Sequence, residues 1–220
     1  MQKTTVFVLI ILCLFSFSCS VWALELKFKD DKAMDVWTAV GGQWEIKKSL
    51  LEGRTTGYQD LMLNVEGADG WTDYTFEVKG MLNAGRIWGM CFRYADTLNN
   101  YRLNLYEDLD ATNNLYIYKR VTGNFSEVFK VGVGTIDKDK WYTLKLTITK
   151  NTIQAYLDGD LKIEAEDKAG GLDVGTIALE GETNTVFLVE YVTVDGKGIP
   201  SSPVESNGKL ASAWGSIKSQ

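Results

Sequence analysis

The stretch GRIWGMCFRYADTLNNYRLNLYEDLDATNNLYIY, residues 85–118, decides the fold of this chain. It contains three segments with the composition of strands, at about 86–94, 101–107 and 114–120, separated by turns rich in Asp and Asn, and the second and third alternate between apolar and polar side chains. Alternation with a period of two is the pattern of a strand with one buried face, and Asn and Asp favour tight turns. The stretch therefore predicts three successive strands of one sheet.

The same alternation continues on both sides of this stretch, for example in residues 74–78 and 140–149. The Asp158-Gly159 pair predicts a type I′ hairpin, because that turn needs a positive φ at both central residues. Residues 48–53 have the composition of a connection between strands. Turn-forming residues recur about every 8–12 residues, and no segment has the period of an amphipathic helix. We expect about twelve to fourteen short strands in an all-β sandwich or barrel.

The beginning of the chain has the pattern of a secretory leader. Residues 1–23 have Lys3 near their beginning, continue through an apolar segment and end in Val-Trp-Ala. This is the order of regions in a signal peptide, and the apolar run is too short to span a bilayer comfortably. We expect cleavage near Ala23 and a protein that is secreted, periplasmic or on the cell surface. Lipidation at Cys19 is the alternative.

The composition changes again near the end of the chain. Residues 24–195 carry the strand pattern and form the predicted domain, whereas 196–220 begin with Gly, Pro and Ser and end in a segment around Trp214. Gly, Pro and Ser favour loops, so we expect a linker followed by a C-terminal tail. Two interpretations of the tail stay open: a loosely ordered end, or a segment that docks to a partner in the bacterial envelope.

The composition excludes several kinds of function. The chain contains no histidine, so His-dependent catalysis and His-ligated zinc are excluded. Cys91 is the only cysteine after the predicted leader, so an internal disulfide is excluded. We expect Cys91 to be a small packing residue. A formal net charge of −6 gives no electrostatic reason to bind nucleic acid or an anionic membrane.

A series of strand and turn signatures resembles a known group of folds. In chain order these are Trp71-x-Asp73-Tyr74-x-Phe76-Glu77-Val78, Gly89-Met-Cys-Phe92-Arg93-Tyr94-x-Asp96, Asn100-Tyr101-Arg-Leu103, Trp141-Tyr142-x-Leu144-Lys145, Tyr156-Leu157-Asp158-Gly159, Gly171, Gly175-x-Ile177-Ala178-Leu179 and Val189-Glu190-x-Val192-x-Val194. They resemble concanavalin A-like jelly rolls, in particular laminin-G-like and levan-binding-type modules and the related domain family 1080, the 3-keto-disaccharide hydrolase domain. The resemblance covers about residues 26–195. It implies an antiparallel two-sheet jelly-roll sandwich over residues 24–195, a fold that hosts lectins, binding modules and hydrolases.

The acidic residues do not form a glycosidase motif. Hydrolysis of a glycosidic bond needs two carboxylates roughly 5–10 Å apart. The glucan-cleaving members of the superfold carry a Glu-x-Asp-x-x-Glu strand, which is absent here. We expect two acidic groups to be solvated strand ends: Glu164, Glu166 and Asp167, and Glu180 and Glu182. An enzyme is therefore the less favoured interpretation.

Calcium is the metal that the available ligands would suit, because only oxygen ligands are present. In jelly rolls the first and last strands are often joined, so the resemblance suggests a site formed by Asp30 or Asp31 with Glu190. The family often has Asp at the position of Glu190. We expect either no cofactor or one structural calcium ion.

The polar side of the three central strands is the candidate binding surface. Leu103 and Leu105 mark the buried side of the second strand, which leaves Arg, Asn and Tyr on the other side. Sugars are held by flat aromatic contacts with their C–H faces and by planar hydrogen-bond donors, and this side offers both. The predicted carbohydrate-binding residues are Trp88, Arg93, Arg102, Asn104, Tyr106, Tyr116 and Tyr118.

Several functions stay open after this reading. The first is a secreted, lectin-like, non-catalytic module that binds a poly- or oligosaccharide. The second is an enzyme of the 3-keto-glycoside hydrolase or lyase type, and the third is a structural or adhesive cell-surface protein. The Arg and Tyr residues could also simply coat an exposed sheet, and Arg93 could be a buried structural residue paired with Asp96 or Glu77.

Overall fold

The computed structural model describes residues 23–107 and 114–201. These residues form strands and two short 3₁₀ turns, Asp31–Val36 and Ala68–Gly70. The strands are β1 (Leu24–Lys27), β2 (Trp37–Val40), β3 (Gln43–Lys47), β4 (Leu50–Thr55), β5 (Gln59–Leu63), β6 (Tyr74–Ala84), β7 (Ile87–Asp96), β8 (Asn99–Tyr106), β9 (Asn114–Val121), β10 (Asn124–Gly132), β11 (Trp141–Thr149), β12 (Thr152–Leu157), β13 (Asp160–Glu166), β14 (Thr176–Glu182) and β15 (Thr185–Gly196). The prediction of an all-β fold is confirmed.

The strands form two antiparallel sheets that pack face to face. The first sheet has the order β13-β12-β11-β6-β15-β4-β3, and β1 adds to it by pairing with β15. The second has the order β10-β9-β8-β7-β14-β5-β2. Consecutive hairpins account for β7 to β10, whereas β14 enters between β7 and β5 from far along the chain. The predicted two-sheet jelly-roll sandwich is confirmed, and it is the position of β14 that assembles the candidate site.

The core fills the space between the sheets with aromatic and aliphatic side chains. The indole of Trp88 is fully buried and stacks on Phe187, with ring centroids 6.1 Å apart. A Cβ atom at Gly80, on the opposite sheet, would lie 2.5 Å from this indole. Close packing leaves no room for such a contact. Gly80 is therefore the residue that lets the two sheets close around Trp88.

Residues 48–53 are mostly strand rather than connection. The expectation of a loop was wrong because Gly53, which gave the segment its turn-like composition, serves packing. Its Cβ would lie 2.6 Å from the ring of Trp44. Glycine inside a strand often marks such a close approach. The predicted Asp158-Gly159 turn is present, with φ values of 51° and 87°.

The predicted leader lies outside the described residues except for Ala23, and so does the tail from residue 202 onward. Both stay predictions. In the part of the chain that the structure describes, no helix is long and apolar enough to cross a membrane.

Candidate binding face of the second sheet

The outward face of the second sheet carries a cluster of buried polar side chains, which we call the ionic floor. Its members come from β5, β8 and β14. They meet because β5 pairs with β14, β14 pairs with β7, and β7 pairs with β8, so that these strands lie side by side. They are Asp60, Arg102, Asn104, Glu180 and Glu182, all of which are buried.

Arg102 is the centre of the ionic floor. Its side chain is 0% exposed, and it forms ion pairs with Glu180 and, at 3.3 Å, with Asp60. Its Nε donates to Oδ1 of Asn100 at 3.0 Å. A buried charge is tolerated only when it is paired and hydrogen-bonded, and a guanidinium can serve several acceptors at once. Arg102 therefore holds together carboxylates that would otherwise repel each other.

Two acidic groups of the floor, Asp60 and Glu182, have a pKa above the ordinary value. Burial raises the pKa of Asp60 above its ordinary value, although Arg102 and a hydrogen bond of 3.0 Å from the Tyr94 hydroxyl act in the opposite direction. Burial also raises the pKa of Glu182 to about 7, partly offset by Arg102. Oε1 of Glu182 accepts a hydrogen bond of 3.0 Å from Nδ2 of Asn104. Part of the floor therefore changes charge near neutral pH.

Two acceptor atoms of the floor have no partner. Oε1 of Glu180 and Oδ1 of Asn104 are both buried and receive no hydrogen bond. An acceptor buried without a donor costs about 1–3 kcal/mol. A ligand that brings O–H or N–H groups to this place would satisfy both atoms.

Two aromatic rings cover the floor, and we call them the aromatic roof. Tyr58 and Phe125 lie 5.0 Å apart between ring centroids, and Cζ of Arg102 lies 5.5 Å from the first ring and 5.7 Å from the second. Both side chains stay partly exposed, at 51% and 38%, and Cζ of Arg120 also lies near them, 5.7 Å from the Tyr58 ring and 4.7 Å from the Phe125 ring. Burial and the neighbouring Glu182 carboxylate raise the pKa of Tyr58. Because the roof consists of side chains, rotamer changes can uncover Arg102 without moving the sheet.

Three tyrosines form a half-buried platform beside the roof. The rings of Tyr106 and Tyr116 are 4.6 Å apart, and those of Tyr116 and Tyr118 are 5.2 Å apart and nearly parallel, at 9°. Burial and the neighbouring Tyr116 raise the pKa of Tyr118 to about 12, so its hydroxyl is protonated at neutral pH. This tyrosine platform offers flat apolar surface together with phenolic donors.

The structure brings five of the seven predicted carbohydrate-binding residues together on one face, namely Arg102, Asn104, Tyr106, Tyr116 and Tyr118. Trp88 is not among them. It shares the inward side of β7 with Met90 and Phe92, and its indole belongs to the core. Its placement on the binding face was wrong, because side chains two residues apart in a strand point to the same side.

Arg93 also lies away from the predicted face. It has a φ of 45°, and the pairing of β7 with β8 is irregular just after Phe92. Its guanidinium donates to the carbonyl oxygen of Leu172 at 3.2 Å and lies 4.0 Å from the Asp73 carboxylate. The interpretation as a buried structural arginine therefore fits better, although its acidic neighbour is neither Asp96 nor Glu77.

The expectation of solvated strand ends was wrong for three carboxylates. Glu180 and Glu182 belong to the ionic floor, and Asp167 forms an ion pair of 2.7 Å with Lys119. Although burial acts to raise it, hydrogen bonds from Lys119 and Tyr101 hold the pKa of Asp167 below its ordinary value. Because Ile177 and Leu179 are the inward residues of β14, the alternation already indicated that Glu180 and Glu182 point outward. Leu61 and Leu63 of β5 indicate in the same way that Asp60 points outward.

Two residues of the predicted calcium site have local partners in the structure. Glu190 forms an ion pair of 2.6 Å with Lys79, and Asp30 caps the following turn by accepting from the backbone N–H of Lys32 at 3.0 Å. Among the described residues, Asp31 and Glu190 are not part of a group of three or more metal-ligating side chains, and the calcium site stays a prediction. The carboxylates of Glu190 and Asp30 therefore each have a local partner.

Among the described residues, Asp60, Cys91 and Glu180 lie close enough together to hold an ion. The group does not fit a metal, because the Arg102 guanidinium already binds both carboxylates. Burial also raises the pKa of the Cys91 thiol well above its ordinary value, so the thiolate that a metal needs is disfavoured. The prediction that Cys91 is a buried packing residue is confirmed.

The comparisons with known proteins concern the fold. No protein-family model matches the chain, and no curated protein matches it. The structure is similar to the carbohydrate-binding module CBM66 from Bacillus subtilis, with 24% identity, a TM-score of 0.64, and coverage of 73% of this chain and 96% of that one. It is also similar to a Bacillus subtilis protein of unknown function with a galectin-like fold, with 13% identity, a TM-score of 0.65, and coverage of 79% and 95%.

A third similar structure is the potassium-bound carbohydrate recognition domain of Emp46p, with 13% identity, a TM-score of 0.57, and coverage of 79% of this chain and 96% of that chain. Together the three show that the chain has a concanavalin A-like or galectin-like β-sandwich fold, as the sequence predicted. The narrower resemblance to laminin-G-like and levan-binding-type modules or to domain family 1080 stays a prediction.

Proposed function

We propose that this protein is a non-catalytic carbohydrate-binding module that holds a poly- or oligosaccharide on the outward face of its second sheet. The observation that carries the proposal is the pair of unpartnered buried acceptors, Glu180 Oε1 and Asn104 Oδ1, in the floor beside the tyrosine platform. Two of the similar structures are described as a carbohydrate-binding module and a carbohydrate recognition domain, which supports the same class of ligand.

The chemistry of the face matches a sugar better than other small ligands. Carboxylate and amide oxygens accept from hydroxyl groups, and the floor supplies three carboxylates and one amide around a single arginine. Flat phenol rings pack on the C–H faces of a sugar ring. An anionic ligand would be repelled by the carboxylates of the floor, whereas a neutral polyol would not be.

Binding requires the aromatic roof to open. In this structure the Tyr58 and Phe125 rings lie above Arg102, so a ligand reaches the unpartnered acceptors only after these side chains turn aside. We infer that the structure corresponds to a closed resting state. The displaced rings can then contact the ligand from the side, which keeps water away from the floor.

An enzyme of the 3-keto-glycoside hydrolase or lyase type is a second candidate. One observation favours it: burial places the pKa of Glu182 at about 7, which suits a general acid at neutral pH. The other two floor carboxylates are bound to Arg102 and are less suited to proton transfer. Turnover of a 3-keto-disaccharide that Glu182→Gln abolishes would establish this alternative.

The proposal is tested by screening the purified protein on a broad glycan array and by affinity electrophoresis in gels containing soluble polysaccharides. We expect saturable binding that Tyr116→Ala weakens. The matched control is Tyr156→Ala, because Tyr156 lies half-buried in the first sheet beside Lys145. No retention on any glycan in either assay would refute the proposal.

Secretion to the periplasm or cell surface, with the tail docking there, is part of the proposal and is tested by cell fractionation with and without residues 199–220.

A further inference from the structure

A cleft of about 460 Å³ lies at one end of the sandwich, next to the ionic floor. Its lining comes from three connections, β2 to β3, β4 to β5 and β14 to β15, and from the strand ends that flank them. The lining residues that the argument uses are Gln43, Arg54, Thr55, Gln59 and Asn184. Cavities of about 300–1,000 Å³ are the size that holds small ligands in proteins.

One side chain of the lining lacks a partner. Thr55 is 2% exposed, and its hydroxyl is buried without a hydrogen bond. A hydroxyl in this state lowers stability unless a ligand supplies the missing bond. The neighbouring Thr185, which pairs with Thr55 across the strands, already donates its hydroxyl to the carbonyl oxygen of Glu182. Among the residues that line the cleft, the buried Thr55 hydroxyl is therefore the group that still lacks a partner.

The chemistry of the cleft differs from that of the floor. It contains no carboxylate, and its one charged side chain, Arg54, already donates to Glu52 at 2.7 Å. Gln43, Gln59 and Asn184 contribute amides, each of which has both donor and acceptor atoms. Such a lining fits a neutral, hydroxyl-rich group.

The cleft and the floor are neighbours along the backbone. Asn184 follows Glu182 by two residues, and Gln59 lies between Tyr58 of the roof and Asp60 of the floor. Two residues of extended chain span at most about 7 Å. A single ligand can therefore occupy both places if it continues past the roof.

We propose that this cleft is a second subsite, which binds the next sugar unit of a chain whose first unit contacts the ionic floor. The proposal rests on the proposed function and makes it more specific: the preferred ligand is an oligosaccharide of at least two units rather than a single sugar. Thr55 and Asn184 are the residues of the cleft that recognise the second unit.

Isothermal titration calorimetry with the full chain tests this. The probes are cello-, xylo-, malto-, laminari- and fructo-oligosaccharides of one to four units, each compared with its single sugar. We expect the dissociation constant in the binding series to fall about tenfold when the second unit is added. Thr55→Val and Asn184→Gly should each remove most of this gain while leaving the affinity for the single sugar unchanged.

Both variants are compatible with the fold. Valine has nearly the shape of threonine, and removing an unpartnered buried hydroxyl does not destabilise the core. Asn184 has a φ of 55°, which glycine adopts without strain. Thr152→Val, on the exposed start of β12, is the control for the same change elsewhere, and thermal melts verify folding.

The possible results separate the two proposals. Equal affinity for one unit and for longer chains would overturn the second subsite and leave sugar binding on the floor intact. Variants that weaken the single sugar as strongly as the longer chains would also overturn it, because the cleft would then belong to the first subsite. No binding in any series overturns the second subsite, whereas the proposed function is refuted only by the absence of retention on the array and in the gels.

Discussion

Arg102 and Glu180 form an ion pair in which neither side chain has any exposure to solvent. The two residues are 78 positions apart in the chain and meet through the strand order of the second sheet. Replacing a buried pair by apolar groups can be harmless, but removing one partner leaves an uncompensated charge. The stability of this face therefore depends on Arg102 more than on any exposed ion pair.

Arg102→Ala should lower the free energy of unfolding by about 3–5 kcal/mol, because Asp60 and Glu180 lose their common partner. Urea denaturation monitored by fluorescence measures the change. Arg54→Ala is the matched control: its side chain is 46% exposed and pairs with Glu52, so it should change stability by less than about 1 kcal/mol. Similar losses in the two variants would contradict the role assigned to Arg102.

Tyr118→Ala should weaken glycan binding about tenfold without unfolding the protein, because it removes one ring of the tyrosine platform. Its ring stacks on Tyr116 rather than filling the core, so the thermal midpoint should change little. Titration calorimetry with the glycan identified on the array gives the affinity. Unchanged affinity in Tyr118→Ala would mean that the ligand does not contact the platform.

Glu182 makes stability depend on pH in a defined direction. Its pKa is raised from 4.5 to about 7 in the folded protein by burial, so between these values the folded state binds more protons than the unfolded state. The stability that the protonated Glu182 contributes is therefore fully present below about pH 4.5 and is lost as the pH rises through about 7.

Glu182→Gln removes this titration and should flatten the pH dependence. Between pH 5 and pH 8 the wild type should lose on the order of 2 kcal/mol more stability than the variant, since one pKa unit corresponds to about 1.4 kcal/mol. Urea denaturation of both proteins across this range provides the comparison. Parallel curves for the two proteins would show that Glu182 does not titrate there.

Gly80→Ala should destabilise the sandwich by about 1–3 kcal/mol, because the added methyl group meets the Trp88 indole at 2.5 Å. Gly132→Ala is the control within the same fold, since a Cβ there meets nothing within 4 Å. Differential scanning calorimetry should show a clear fall in the melting temperature for the first variant only. Equal melting temperatures would mean that the sheets can separate enough to admit the methyl group.

The fold could be predicted from the sequence because its signals are local. Alternation places Leu144 and Leu146 inward, and the Asp158-Gly159 turn defines the hairpin that follows. Where a residue serves packing between distant strands, the local signal misleads. Gly53 indicated a turn, but it is needed because Trp44 occupies the space of its missing side chain.

The candidate site could be predicted only in part. Arg102 and Asn104 were assigned to the correct face, because the period of two determines the side of β8 to which they point. Alternation does not tell whether the outward side meets solvent or another segment. Glu180 is covered because β14 lies between β5 and β7, and Asp60 joins it through the same long-range pairing.

The pairing of β1 with β15 has a mechanical consequence. Leu24 lies opposite Val194, so both ends of the domain leave the sandwich at the same place. β15 begins at Thr185 beside the cleft and continues for 12 residues, a distance of about 40 Å at 3.3 Å per residue. If the protein were anchored at either terminus, the cleft would therefore lie at the opposite end of the domain. A long polymer could then reach the cleft without steric hindrance from the anchoring surface.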